Sequence, residues 1–245
     1  MSGDEDITVI HVDDDEEFLS VAIELLERAD ERLVVEAEPE PTAALDRVDE
    51  VDADCVVADY EMPGLDGLEL LAAVRDARPD LPFVLFTGKG SEEIADEAIS
   101  AGVTDYVRKG GGNRYDLLAN SIRNAVEAQR TRDRLTRRSR AIEAATEGIA
   151  ILNADGEYIF VNEAHAELYG FDDPAELEGE PWQKLYVDEW EQHLEMEAMG
   201  ELGMQGEWSG EAVGRRAGAD GETFRQTLSL SVMDDGCMVC VVHEH

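Results

Sequence analysis

Five short apolar runs, ITVIHV, LVVEAE, ADCVVADY, FVLFTG and DYVRKG, recur through the first half of the chain, and each is followed by a helical pattern. The helices are expected to begin near Glu16, Pro41, Leu68, Ser91 and Tyr115. Their apolar stripes, such as Phe18, Val21 and Leu25 or Leu68, Leu71 and Val74, carry the 3.6-residue period. Five strand-helix repeats predict a parallel sheet with helices on both faces. Within VVADYEMPGLDGLELL, the run Val56-Val57-Ala58 meets a carboxylate, Asp59, and Pro63-Gly64 and Asp66-Gly67 then break the chain before the next helix. Asp59 is thereby expected at the carboxyl end of a strand, where open α/β sheets put their chemistry.

The other runs end in the same manner. The first runs into Asp13-Asp14, the fourth into Thr87 and the fifth into Lys109. One edge of the sheet should gather three carboxylates, a hydroxyl and an ammonium. Clustered carboxylates raise one another's pKa unless a cation neutralises them, and such oxygen ligands suit Mg2+. Asp59 then becomes a poised nucleophile. Asp15 and Asp66 read as a helix-start or solvated acid and a turn former.

Asp13-Asp14, Asp59 with Met62-Pro63-Gly64 and Asp66-Gly67, Thr87-Gly88 and Lys109 resemble the receiver domain of two-component response regulators, over roughly residues 6 to 125. The resemblance implies a flavodoxin-like, doubly wound five-stranded sheet of order 2-1-3-4-5, an arrangement for which a receiver is a standard example. It implies that Asp59 accepts a phosphoryl group from the phosphohistidine of a sensor histidine kinase. Mg2+ would be held by Asp14, Asp59 and the Glu61 main-chain carbonyl, with Asp13 acting largely through water. Lys109 would pair with Asp59 at rest and with the phosphoryl oxygens afterwards, while Thr87 and Tyr106 form the switch. One departure stands out: the family usually follows its lysine with proline, whereas Lys109 precedes Gly110-Gly111-Gly112. That loop should be looser.

From Tyr115 the helical pattern continues to about Ala145, with Leu118, Ile122, Ala125 and Gln129 at coiled-coil-like spacing. Arg123, Arg130, Arg132, Arg134, Arg137, Arg138 and Arg140 concentrate positive charge on this connector. Nucleic acid must be weighed against that, but the chain holds 58 acidic and 20 basic residues, a net charge of -38. The arginines are expected to meet acidic faces of neighbouring domains or of a second protomer.

Beyond Ala145 the pattern changes to antiparallel hairpins, with turns at Asp155-Gly156, Asp220-Gly221 and Asp235-Gly236 and short helices around Glu163 to Tyr169 and Asp188 to Met199. EGIAILNADGEYIFVNEAHAELYGF, with Asn162, Gly170, Gly179, Trp182 and the Asp220-Gly221 turn, resembles a PAS domain. That implies an α+β fold with an antiparallel sheet, serving sensing or dimerisation, sometimes with haem, flavin or a small metabolite. No PAS ligand is identified: His193 reads as a surface residue, and Phe160, Trp182, Tyr186, Trp190 and Trp208 as core or interface. Cys237 and Cys240 read as two core thiols, and His243 and His245 as a frayed end.

The excess of acid, with arginine far outnumbering lysine, suits a halophilic, haloarchaeal-like cytoplasm in which salt screens self-repulsion. Met1 to Asp30 contain neither a signal peptide nor a membrane span, so a cytoplasmic location is expected. The sequence therefore reads as a receiver over residues 1–125, a connector helix over 126–145 and a PAS domain over 146–245. The expected protein is a non-enzymatic response regulator with Mg2+ as cofactor and a sensor histidine kinase as partner. A homodimer through the connector or the PAS domain is expected, and no DNA-binding domain or membrane contact. The alternative is a PAS-based ligand sensor or scaffold for a separate kinase.

Overall fold

A computed structural model describes residues 5–88, 92–218 and 221–245. The chain divides into two compact units, Met1–Arg134 and Leu135–His245. In the first, β1 (Ile7–Val12), α1 (Glu16–Ala29), β2 (Leu33–Glu38), α2 (Ala44–Glu50), β3 (Cys55–Ala58), α3 (Gly67–Ala77), β4 (Phe83–Thr87), α4 (Glu92–Ser100), β5 (Asp105–Arg108) and the first part of α5 (Arg114–Glu143), whose end belongs to the second unit, alternate. The five strands are parallel in the order β2-β1-β3-β4-β5. The doubly wound sheet is thus as the sequence led us to expect.

Alternate residues of the central strands supply two cores, one on each face of the sheet. Val9, Val57, Val84 and Phe86 meet Ala22 and Leu26 of α1 and Leu118, Ile122 and Val126 of α5. Ile10, Val12, Val56 and Leu85 meet Val48 of α2, Leu70 and Val74 of α3 and Ala98 of α4. Asp15 caps α1 by accepting the Phe18 N–H, and Asp66 forms a capping box with Glu69 at the head of α3. At Pro41 the chain makes a 3-10 turn, Pro41–Ala43, before α2 begins. The helix start expected at Ser91 lies outside the described residues.

The stripe on α5 has a different use from a coiled-coil seam. Leu118, Ile122 and Val126, not Ala125, are buried, and they lie in the unit's own core. The first part of α5 covers its own sheet, so this stripe is unavailable to a partner. Arg123 pairs with Asp30 at 3.1 Å, and Arg130 with Asp54 at 3.0 Å and Glu5 at 3.7 Å. Arg132, Arg134, Arg137, Arg138 and Arg140 are exposed.

The second unit is an antiparallel sheet of order β7-β6-β10-β9-β8, built from β6 (Gly148–Leu152), β7 (Tyr158–Val161), β8 (Glu207–Arg215), β9 (Thr223–Val232) and β10 (Met238–Glu244). Between β7 and β8 lie α6 (Glu163–Leu168), α7 (Asp188–His193) and α8 (Met199–Gln205). A π-helical turn, Leu194–Ala198, joins α7 to α8, so this helical segment passes the expected end at Met199. Leu194, Ala198 and Leu202 are buried along it and hold it in the core. Asp220 lies outside the described residues.

Two smaller expectations are corrected. β10 runs to Glu244 in register with Gln226, so His243 and Glu244 belong to a paired strand and not to a frayed end. Cys240 is a core thiol, but Cys237 precedes the strand in a turn and is only half-buried. Asn162 is fully buried: it accepts from the N–H groups of Ile149 and His165 and donates to the carbonyls of Ile142 and Glu147. It thereby ties the end of α5 to this sheet. Among the described residues no helix is long and apolar enough to cross a membrane.

Candidate functional site

The carboxyl end of the parallel sheet brings Asp13, Asp14, Asp59, Thr87 and Lys109 together because β1, β3, β4 and β5 all end or stop just short there. Asp13 is 2% exposed and Thr87 1%, whereas Asp14 lies in the open. One carboxylate oxygen from each of Asp13, Asp14 and Asp59 falls within 4.8 Å of the others. Lys109 Nζ donates to Asp13 Oδ2 at 2.6 Å and forms an ion pair with Asp59 Oδ1 at 3.1 Å. The Asp59 pair is the longer of the two.

Burial pushes the Asp59 carboxyl above its ordinary value, against the opposing pull of Lys109 and of the Tyr60 backbone N–H, while the neighbouring Asp13 charge adds to the rise. A cation beside these oxygens would remove that cost. The three carboxylates therefore suit a hard divalent ion by donor type and by spacing. Glu61 is exposed and follows Tyr60 in the loop after β3. Tyr106, on β5, is partly buried against the core on the α3 side.

Two neighbours of the site carried no signal in the sequence beyond an apolar period or a turn. The Phe18 ring lies under the Lys109 ammonium, with its centroid 4.4 Å from Nζ. Gly67 opens α3 so close to β3 that an added Cβ would stand 2.3 Å from the Asp59 carbonyl oxygen and 2.9 Å from Leu85 Cδ2. His11, behind Phe18, is wholly buried, and burial and then the Lys109 charge push its pKa down to about 3. It stays neutral and adds no repulsion against Lys109.

A family model for the response regulator receiver domain matches residues 9–120, and one for the PAS domain matches residues 146–242. The chain carries a response regulator receiver domain followed by a PAS domain. Among similar proteins, the C4-dicarboxylate transport transcriptional regulatory protein DctD of Rhizobium meliloti is 34% identical over 145 residues, 59% of this chain and 31% of that protein. The bacterioopsin transcriptional activator of Halobacterium salinarum is 30% identical over 154 residues, 56% of this chain and 23% of that one. The chain spans about a third of the length of DctD and less of the activator. A solved response regulator receiver domain protein from Clostridium thermocellum matches at 26% identity and a TM-score of 0.46, covering 51% of this chain and 98% of that one.

Proposed function

We propose that the protein is a two-component response regulator in which Asp59 accepts a phosphoryl group from the phosphohistidine of a sensor histidine kinase and the PAS domain relays the change. The observation that supports it is the convergence of Asp13, Asp14, Asp59 and Lys109 on one sheet edge, with Asp59 partly withdrawn from water and its carboxyl raised. An Asp59 oxygen attacks phosphorus, the P–N bond breaks, and the imidazole leaves with its electron pair and takes up a proton. The product is an acyl phosphate on Asp59. Mg2+, when bound by Asp14, Asp59 and the Glu61 carbonyl with Asp13 acting through water, supplies charge neutralisation between carboxylate and phosphoryl oxygens. Lys109 exchanges its carboxylate partners for a phosphoryl oxygen, the Thr87 hydroxyl donates to another, and Tyr106 repacks as Thr87 moves.

On this reading the regulator works in a salt-rich cytoplasm and turns over no outside substrate. Its boundaries are a receiver over 1–125, a connector over 126–145 and a PAS domain over 146–245. With the first stripe of α5 consumed, a homodimer would use the later part of α5 or the PAS sheet. The rival reading, a PAS ligand sensor, is less well supported. The interior hollow lined by Tyr158, Trp182, Tyr186, Met199 and Cys240 measures about 20 Å³, room for about one water molecule. A haem, flavin or metabolite would enter only if those side chains moved.

The test is phosphorylation by a small phosphodonor with Mg2+ in high salt, followed by intact mass. A labile single-phosphoryl adduct on the parent, absent from Asp59→Ala, supports the reading. No adduct on a folded parent removes it.

A further inference from the structure

Lys109 is held from three directions, and only two of them are charged. Asp13 Oδ2 lies 2.6 Å and Asp59 Oδ1 3.1 Å from its Nζ, and the Phe18 ring faces the same ammonium with its centroid at 4.4 Å. That distance is well inside the range at which a cation is drawn to an aromatic face. The backbone after Lys109 offers little restraint, because Gly110, Gly111 and Gly112 follow and Gly111 sits at φ +100°. No cis peptide occurs among the described residues.

The ring, in contrast, is firmly placed. Phe18 stands in the first turn of α1, where its own N–H is the one that Asp15 accepts, at 2.9 Å. Its ring meets the edge of His11 and the tilted face of Phe86, each with centroids 6.1 Å away. His11 and Phe86 are both fully buried. Phe86 immediately precedes Thr87 and also packs on Tyr115 in the first turn of α5, at 5.9 Å. The aromatic cluster is thus anchored in the core on the α1 and α5 side of the sheet.

The two carboxylates share the Lys109 ammonium, Asp13 at 2.6 Å and Asp59, the attacking group, at 3.1 Å. A ring face attracts the ammonium without occupying its donors in a fixed direction, so Nζ can pass from carboxylate to phosphoryl oxygen while staying over the ring. We propose that Phe18 is a positioning residue for Lys109, its ring face supplying the restraint that the glycine run after Lys109 does not. This rests on Asp59 being the phosphoacceptor. Phe18 acts through Lys109.

Ring substitution at constant shape separates this role from packing. Phenylalanines with one, two and three ring fluorines would be placed at position 18 of the full chain, which progressively weakens the ring's negative face while keeping its bulk. The rate of phosphoryl incorporation from phosphoramidate should fall step by step, by about twofold to about thirtyfold across the series, with the melting temperature unchanged. In metal-free buffer, reductive methylation of Lys109, followed by peptide mass, should quicken along the same series. A parent that is phosphorylated, with both rates flat across the series, overturns the role of Phe18 and leaves the phosphoacceptor reading standing. A folded parent that takes no phosphoryl group at Asp59 overturns both.

Discussion

At the residue scale the site depends on close approaches as much as on charged groups. Gly67 allows the first turn of α3 to lie against the Asp59 carbonyl, where a Cβ would be 2.3 Å from backbone that cannot swing aside. Gly67→Ala should therefore displace Asp59 and lower stability by about 1–3 kcal/mol, seen as a lower melting temperature together with slower phosphoryl incorporation. Asp59 itself should behave in the opposite sense. Its folded pKa lies above the ordinary 3.8, so its ionised form in the fold is a cost, absent when both states are protonated and fully present above the folded pKa. Asp59→Asn should raise the melting temperature at neutral pH without divalent ions, and the gain should shrink as pH falls through the carboxylate range. Lys109 keeps Asp13 as its partner in that variant, at 2.6 Å. The charged members of the site were legible because strand ends display them. Phe18 was not, because an aromatic residue on a helical stripe looks the same whether it meets a core or an ammonium.

At the element scale, α1, the turn before β2 and α5 are joined through one carboxylate. Asp30, at the end of α1, accepts from Arg32 at 3.2 Å and from Arg123 of α5 at 3.1 Å. The side-chain hydrogen bond from Arg32, chiefly, and that from Arg123 hold its pKa below the ordinary value against the opposing effect of burial. A depressed carboxylate pKa contributes stability that is present above the ordinary 3.8 and is lost as pH falls through the lower folded value. Asp30→Asn should cost about 1–2 kcal/mol at neutral pH, and chemical unfolding should show the two proteins converging in strong acid. The period of α5 could be read from the sequence but its partner could not: a stripe of Leu118, Ile122 and Val126 fits a second helix or its own sheet equally well. The π-turn Leu194–Ala198, which carries the α7–α8 segment past Met199, has no local sequence mark, since burial of Leu194, Ala198 and Leu202 settles it.

At the scale of the whole molecule, 38 uncompensated negative charges set the conditions under which either unit is stable. Raising salt from about 0.1 M to about 1 M shortens the screening length from roughly 10 Å to roughly 3 Å. Urea unfolding midpoints should therefore rise steeply with KCl. The three tryptophans, Trp182, Trp190 and Trp208, all lie in the second unit, so their fluorescence follows the PAS domain alone. A midpoint indifferent to salt would contradict the halophilic reading. The two-domain plan was visible in the change from strand-helix alternation to hairpins; the filled PAS interior was not, because side-chain packing across the hollow has no period along the chain. The most direct test of the central claim is chemical trapping of the acyl phosphate. The protein would be phosphorylated with a small phosphodonor and Mg2+, reduced with borohydride and digested. Homoserine is expected at position 59 and at no other aspartate; reduction at another carboxylate, or at none in a folded and phosphodonor-treated protein, would contradict phosphoryl transfer to Asp59.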